Sequence, residues 1–241
     1  MIKRILEILL IYLPATFLVL SISLVLLYKW VPVRWTPLML IRTVENHGNK
    51  GYRNIQNWVE ITDVAPNLIE AVRISEDSRF YSHSGFDVKE IQKMRYNHMA
   101  KGVDIRGCST ISQQVAKNCF TFCSRSLSRK LIEAYYTVLI ELIWGKERIL
   151  EVYLNVAETG RGLFGVEAAC QRYYSCPASD LTVSDAAALA CVLPKPLTRT
   201  PKVVMSIHSD KHLRLSKEVG KAGLKGSFQG RCKVVPHNTR R

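Results

Sequence analysis

Two glutamates stand among residues whose types and spacing could do chemistry. The first opens the segment EDSRFYSHSGFD, residues 76–87, where two acids, an Arg, a His and a Gly lie between apolar stretches. The preceding NLIEAVRIS reads as an amphipathic helix, so Glu76 falls at or near its C-terminal end. A carboxylate there faces the negative end of the helix dipole, which raises its pKa and suits a general base. Spacing alone points first to a helix-end carboxylate paired with Arg73 or Arg79. The second is Glu133, which shares a helix face with Arg129 four residues earlier and has Lys130 beside it. That grouping is either an ordinary surface salt bridge, worth little, or a site where cations neutralise phosphate while the carboxylate holds a divalent metal. Lys117, one turn after Gln113 and Gln114, adds a cation on a neighbouring helix.

Helices must position these groups. Residues 128–144, SRKLIEAYYTVLIELIW, place Leu131, Tyr135, Val138 and Leu142 on one stripe; Ser128 can cap the start and Gly145 follows the end. Thr110 followed by Gln113 reads as a capping box opening ISQQVAKN. Lys146–Asn155 and Asp185–Leu193 read as two further helices, the second capped by Ser184 and stopped by Pro194. Residues 88–104 have mixed polarity and read as a mobile loop, in which Lys89, Lys93, Arg95 and Lys101 could meet phosphate. Alternating strand patterns are scarce, so the expected fold class is mostly α.

The chain has 241 residues, a formal charge of +14 and 47% hydrophobic residues, which excludes a collagen-like or wholly disordered protein. The basic balance points to an acidic partner: nucleic acid, an anionic membrane or a phosphorylated substrate. From Ile8 to Tyr28 no residue is charged. As a helix this run spans about 31 Å, enough to cross a bilayer. Lys3 and Arg4 precede it, which places the N-terminus in the cytoplasm, and YKWVPVRW offers no small-residue cleavage site. An uncleaved anchor over residues 1–30 is therefore expected, then a domain over 31–201. Residues 202–241, with ten basic residues against Asp210 and Glu218, read as a flexible basic tail. The seven cysteines, Cys108, Cys119, Cys123, Cys170, Cys176, Cys191 and Cys232, match no zinc spacing, and their pairing stays open.

Read in order, EDSRFYSHSGFD, GCSTISQQVAKN, RKLIEA, KERILEVYLN and GRGLFGVEAACQRYY resemble the five successive motifs of the peptidoglycan glycosyltransferase family. VPVRWTPLMLIR and PASDLTVSDAAALACVLPKP resemble its monofunctional biosynthetic members. The similarity runs from about Val31 to Pro201; the segment after about Val204 does not resemble the family's C-terminal helix. The resemblance implies a lysozyme-like glycosyltransferase domain behind a single N-terminal transmembrane helix. It further implies polymerisation of lipid II into β-1,4-linked glycan with inversion at C1 and release of undecaprenyl pyrophosphate. Glu76 would be the general base and Glu133 the second essential carboxylate. Ser109, Thr110, Gln113, Gln114, Lys117, Arg129 and Lys130 would contact donor phosphate or sugar. Asp77, Phe80, His83 and Gly85 would support the first motif, Tyr153 and Asn155 would pack and cap, and Gly162 and Gly165 would allow a close turn.

A divalent cation, magnesium or manganese, would find a ligand in Glu133, and no organic cofactor is implied. Expected partners are lipid II with the growing glycan strand, membrane lipid, and other proteins of cell-wall synthesis or division. The catalytic domain would stand outside a bacterial inner (cytoplasmic) membrane, away from nucleic acid. Two rivals remain: a lytic transglycosylase with one essential Glu, and a non-enzymatic scaffold binding wall polymers or lipid.

Overall fold

A computed structural model describes residues 8–49, 51–102, 108–122, 126–207 and 209–222. The expected mostly α class holds. After a π-helical turn at Ile8–Tyr12, the helices are α1 (Leu13–Trp30), α2 (Pro37–Glu45), α3 (Pro66–Glu76), α4 (Val88–Lys101), α5 (Ile111–Phe120), α6 (Leu127–Ile143), α7 (Lys146–Val156), α8 (Val166–Tyr174), α9 (Val183–Ala190), α10 (Pro201–Ile207) and α11 (Ser209–Lys221). A small sheet has the order β1 (Ile55–Gln56), β3 (Leu163–Phe164), β2 (Glu158–Gly160), parallel for the first pair and antiparallel for the second. The turn before β3 needs glycine. Gly162 has φ +70°, and a Cβ there would lie 2.6 Å from the Arg53 carbonyl oxygen.

The core forms where α3, α5, α7 and α9 meet. α7 buries every residue from Val152 to Val156, and α9 is buried from Asp185 to Ala190. Small residues make this contact tight: the alanines at 186–188 and 190 of α9 bring its backbone close to α3 and α11.

Several local expectations change. Helix α6 is capped by Ser126, whose Oγ accepts from Arg129 N at 3.2 Å, rather than by Ser128. Likewise Thr182 caps α9, accepting from Asp185 N at 3.1 Å. The stripe on α6 is real but faces outward: Leu131, Val138 and Leu142 are 65%, 47% and 77% exposed. The buried face is Glu133, Tyr136, Thr137 and Ile140. Periodicity finds an apolar stripe without saying what it faces. Here the stripe continues the surface of α1, which packs beside α6 through a 2.6 Å hydrogen bond between Ser21 and Tyr135 and the Phe17–Tyr135 ring contact.

Residues 88–101, expected as a loop, are helix α4. None of its residues is buried, so local signals hold it: Asp87 accepts from Glu90 N at 3.0 Å, and Gly102 ends it at φ +62°. The expectation of a flexible tail from residue 202 also fails up to residue 222. His212, Leu215 and Val219 form the buried stripe of α11, with Val204 of α10 buried too. A histidine at the first stripe position disguised the period; its ring meets the Ser184 carbonyl at 3.0 Å. Residues 223–241, Cys123 and Cys232 lie outside the described residues. Cys108, Cys119, Cys170 and Cys191 are free thiols, and Cys176 is disulfide-bonded.

Leu10–Trp30 is long and apolar enough to cross a membrane, and most of it is not covered by the rest of the protein. Its end is fixed to the domain by two side chains. Trp144 Nε1 donates to Val25 O at 2.7 Å, and Arg148 Nη2 donates to Tyr28 O at 2.8 Å and Val31 O at 2.7 Å.

Candidate active site

Glu76 is the last residue of α3, as its sequence placed it. The bland alternatives for it fail, because both neighbouring arginines are taken. Arg73 pairs with Glu70 at 2.5 Å, and Arg79 with Asp87 at 3.2 Å. Glu76 Oε2 instead accepts from Gln114 Nε2 of α5 at 2.9 Å. Its Oε1 is buried and has no hydrogen-bond partner among the described residues. Burial pushes the Glu76 carboxyl above the usual carboxylate range; the Gln114 hydrogen bond and the charge of Lys211 oppose this, while Asp77 adds to it. An acceptor oxygen held open in a site of raised proton affinity is what a general base requires.

Helix α5 carries Gln114, and its first turn is tied down from every side. The capping box is complete: Gln113 N donates to Thr110 Oγ1 at 3.2 Å, and Thr110 N to Gln113 Oε1 at 3.1 Å. Thr110 Oγ1 donates to Gly85 O at 2.6 Å. Gly85 sits at φ +86°, where a Cβ would come 2.8 Å from Thr137 Cγ2. Asp77 Oδ2 accepts from Ile111 N at 3.0 Å, while His83 Nε2 holds the same carboxylate at 3.0 and 3.1 Å. Ser112 Oγ donates to Glu141, which also pairs with Lys146 at 2.7 Å.

Asp77 thus takes the first backbone N–H of α5, within the segment expected to contact donor phosphate or sugar. Thr110 and Gln113 are buried and satisfied, so they build the site rather than line it. Ser109 and Lys117 are exposed. Lys117 follows Gln114 by three residues, on the same face of α5.

Glu133 has the opposite environment. It is 2% exposed, and both its oxygens are paired: Oε2 with Arg129 Nη1 at 2.5 Å and Oε1 with Lys130 Nζ. The two cations keep partial exposure while their charged ends meet the buried Glu133 carboxylate. A divalent ion does not fit this donor set as it stands. It would have to displace both cations, and among the described residues Glu133 belongs to no group of three or more carboxylate, His or Cys ligands. Among the described residues one group has metal-ligand proximity, Asp77, His83 and Asp87, and it is engaged internally by Ile111 N, the Asp77–His83 contact and Arg79.

The structure therefore joins Glu76 to Gln114, and Arg129 and Lys130 to Glu133. Helix α5 links the two sites, contacting Glu76 through Gln114 and packing on α6. Sequence reasoning missed Lys211, which acts on Glu76 from a segment read as a tail, and it gave Tyr153 only a packing role. The Tyr153 ring is fully buried, yet its hydroxyl donates to Gln114 Oε1 at 3.4 Å. A tyrosine on an all-buried helix face was the available signal, since phenylalanine would fill the same space without a hydroxyl.

The fold is that of a small lysozyme-like, mostly α domain behind an apolar N-terminal helix. The chain matches the Transglycosylase family over residues 43–218. It is 48% identical over 182 residues to a biosynthetic peptidoglycan transglycosylase of Bdellovibrio bacteriovorus, covering 75% of this chain and 72% of the relative. A protein of the same name from Caulobacter vibrioides is 46% identical over 186 residues, 76% of this chain and 79% of the relative. Another from Shigella boydii is 49% identical over 173 residues, 71% and 72% of the two chains. The chain belongs to the transglycosylase family and is a glycosyltransferase.

Proposed function

We propose that this enzyme polymerises lipid II into β-1,4-linked glycan strands at the outer face of a bacterial cytoplasmic membrane. Glu76 takes the proton from the 4-hydroxyl of the acceptor sugar, and that oxygen attacks C1 of the growing chain. The bond from C1 to the pyrophosphate breaks with its electron pair going to the leaving group, undecaprenyl pyrophosphate. Attack from the opposite face inverts C1, and no covalent enzyme intermediate forms. Arg129 and Lys130, anchored by Glu133, together with Lys117 and Ser109 on α5 and its entry, stabilise charge on the pyrophosphate. Pairing of Glu133 with two protein cations favours this charge clamp over a magnesium or manganese ion at that carboxylate.

One observation carries the reading: a carboxylate with one oxygen anchored by Gln114 and the other buried without a partner among the described residues. The names of the relatives support the substrate class. The apolar helix at 10–30 and the outward stripe of α6 suit a single-pass anchor and a membrane-immersed flank. The N-terminus is then cytoplasmic, the domain from residue 31 extracytoplasmic, and membrane lipid and other cell-wall synthesis or division proteins its neighbours.

The test is polymerisation of lipid II by the detergent-solubilised protein. Wild type should release undecaprenyl pyrophosphate and long glycan, and Glu76→Gln should lower the rate about 10³-fold. Digestion of finished strands, or full activity in Glu76→Gln, would overturn the proposal.

A further inference from the structure

We infer that Tyr153 is a positioning residue for the base, acting on Glu76 through Gln114. The inference rests on the reading of Glu76 given above and extends it one residue outward. A primary amide between a hydroxyl and a carboxylate can sit either way round. With its Oε1 toward Tyr153 and its Nε2 toward Glu76, it accepts at 3.4 Å and donates at 2.9 Å. The reverse orientation would set the amide oxygen against the carboxylate. Once Glu76 has taken a proton, that reverse orientation becomes attractive, because the acid can then donate. A donor fixed on the far side of the amide keeps it in the productive orientation through the cycle.

Tyr153 meets the requirements of such a donor. Its side chain is fully buried, and among the described residues Gln114 is the one partner its hydroxyl reaches. Burying an unpaired hydroxyl costs stability, so the contact with Gln114 is what makes a tyrosine tolerable there. Burial, with the charges of Glu76 and Asp77, keeps the phenol protonated and hence a donor. Its helix cannot drift. Two residues on, Asn155 Oδ1 accepts from Val59 N at 2.8 Å and its Nδ2 donates to Val59 O at 2.8 Å. Gly165 at φ +80° closes on Asn155, where a Cβ would lie 2.7 Å from its carbonyl oxygen. A donor that polarises the amide also strengthens the hydrogen bond on its other side.

The readout is the acid limb of kcat/KM against pH for lipid II polymerisation. The other groups acting on Glu76 are Asp77 beside it and Lys211 on α11; Cys191 after α9 feels its charge in return. All stay constant across the variants. Tyr153→Phe should raise the limb by about half to one pH unit, the size of one hydrogen bond to a charged group weakened. Gln114→Ala should raise it at least as far, and the double variant no further than Gln114→Ala alone. Replacing Tyr153 with 3-fluorotyrosine, a stronger donor in the same ring, should lower the limb. A limb unmoved in Tyr153→Phe and in the fluorotyrosine protein, or additive shifts in the double variant, overturns the inference. Glu76→Gln separates the two levels: its inactivity keeps the base assignment whatever Tyr153 does, and its full activity removes both.

Discussion

Glu76 and Glu133 are both carboxylates on helices of one small domain, and they are treated in opposite ways. Glu76 has one oxygen anchored and one without a partner among the described residues, and burial raises its proton affinity. Glu133 is more deeply buried, yet both oxygens are matched by cations. Burial alone therefore does not make a base. What distinguishes the two is whether the environment supplies a counter-charge: Glu76, with one oxygen unpaired, gains by taking a proton, while Glu133 is matched by Arg129 and Lys130. In the proposed mechanism the unpaired oxygen of Glu76 serves proton transfer, while Glu133 acts as a rivet for Arg129 and Lys130.

This contrast predicts effects of opposite sign on stability. Glu76→Gln should lower polymerisation about 10³-fold and raise the melting temperature at pH 7–8. The sign follows from linkage. The folded pKa of Glu76 lies above its unfolded value, so the native state holds the proton more tightly. Stability then falls as pH rises through the folded pKa, and glutamine removes that cost. The gain should vanish below about pH 4, where Glu76 is protonated in both states. Thermal unfolding of the two proteins across pH checks it.

Glu133→Gln should lower the rate about 10²-fold and also lower the melting temperature, because it leaves two cations without their buried partner. Arg129 and Lys130 keep partial solvent access, so a loss of about 1–3 kcal/mol is expected, roughly 3–10 °C for a chain of this size. A variant that melts at or above wild type would break the rivet account. The smallest effect belongs to Lys211→Ala. Its charge holds the Glu76 pKa down, so its removal should raise the acid limb by a few tenths of a pH unit, and added salt should shrink the difference.

The parts of this molecule that were legible in the sequence are those encoded within one helix. The capping box at Thr110 and Gln113, the spacing of Arg129, Lys130 and Glu133, and the end of α3 at Glu76 are local patterns, and the structure keeps all three. What stayed hidden depends on partners far along the chain. Asp77 fills the N-terminus of α5 across 34 residues, and Tyr153 reaches Gln114 across 39. The outward face of α6 could not be assigned because an apolar stripe reads alike whether it meets a core or a membrane. Helix α11 was read as a tail because His212 occupies a core position that pattern reasoning reserves for apolar residues.

The most direct test of the division between the two carboxylates is the pH dependence of the residual polymerisation in each glutamate variant. Glu133→Gln should be slow at every pH yet keep the acid limb of the wild type. Glu76→Gln should lose the limb together with the rate. An acid limb that survives in Glu76→Gln and disappears in Glu133→Gln would contradict the account by placing the base at Glu133.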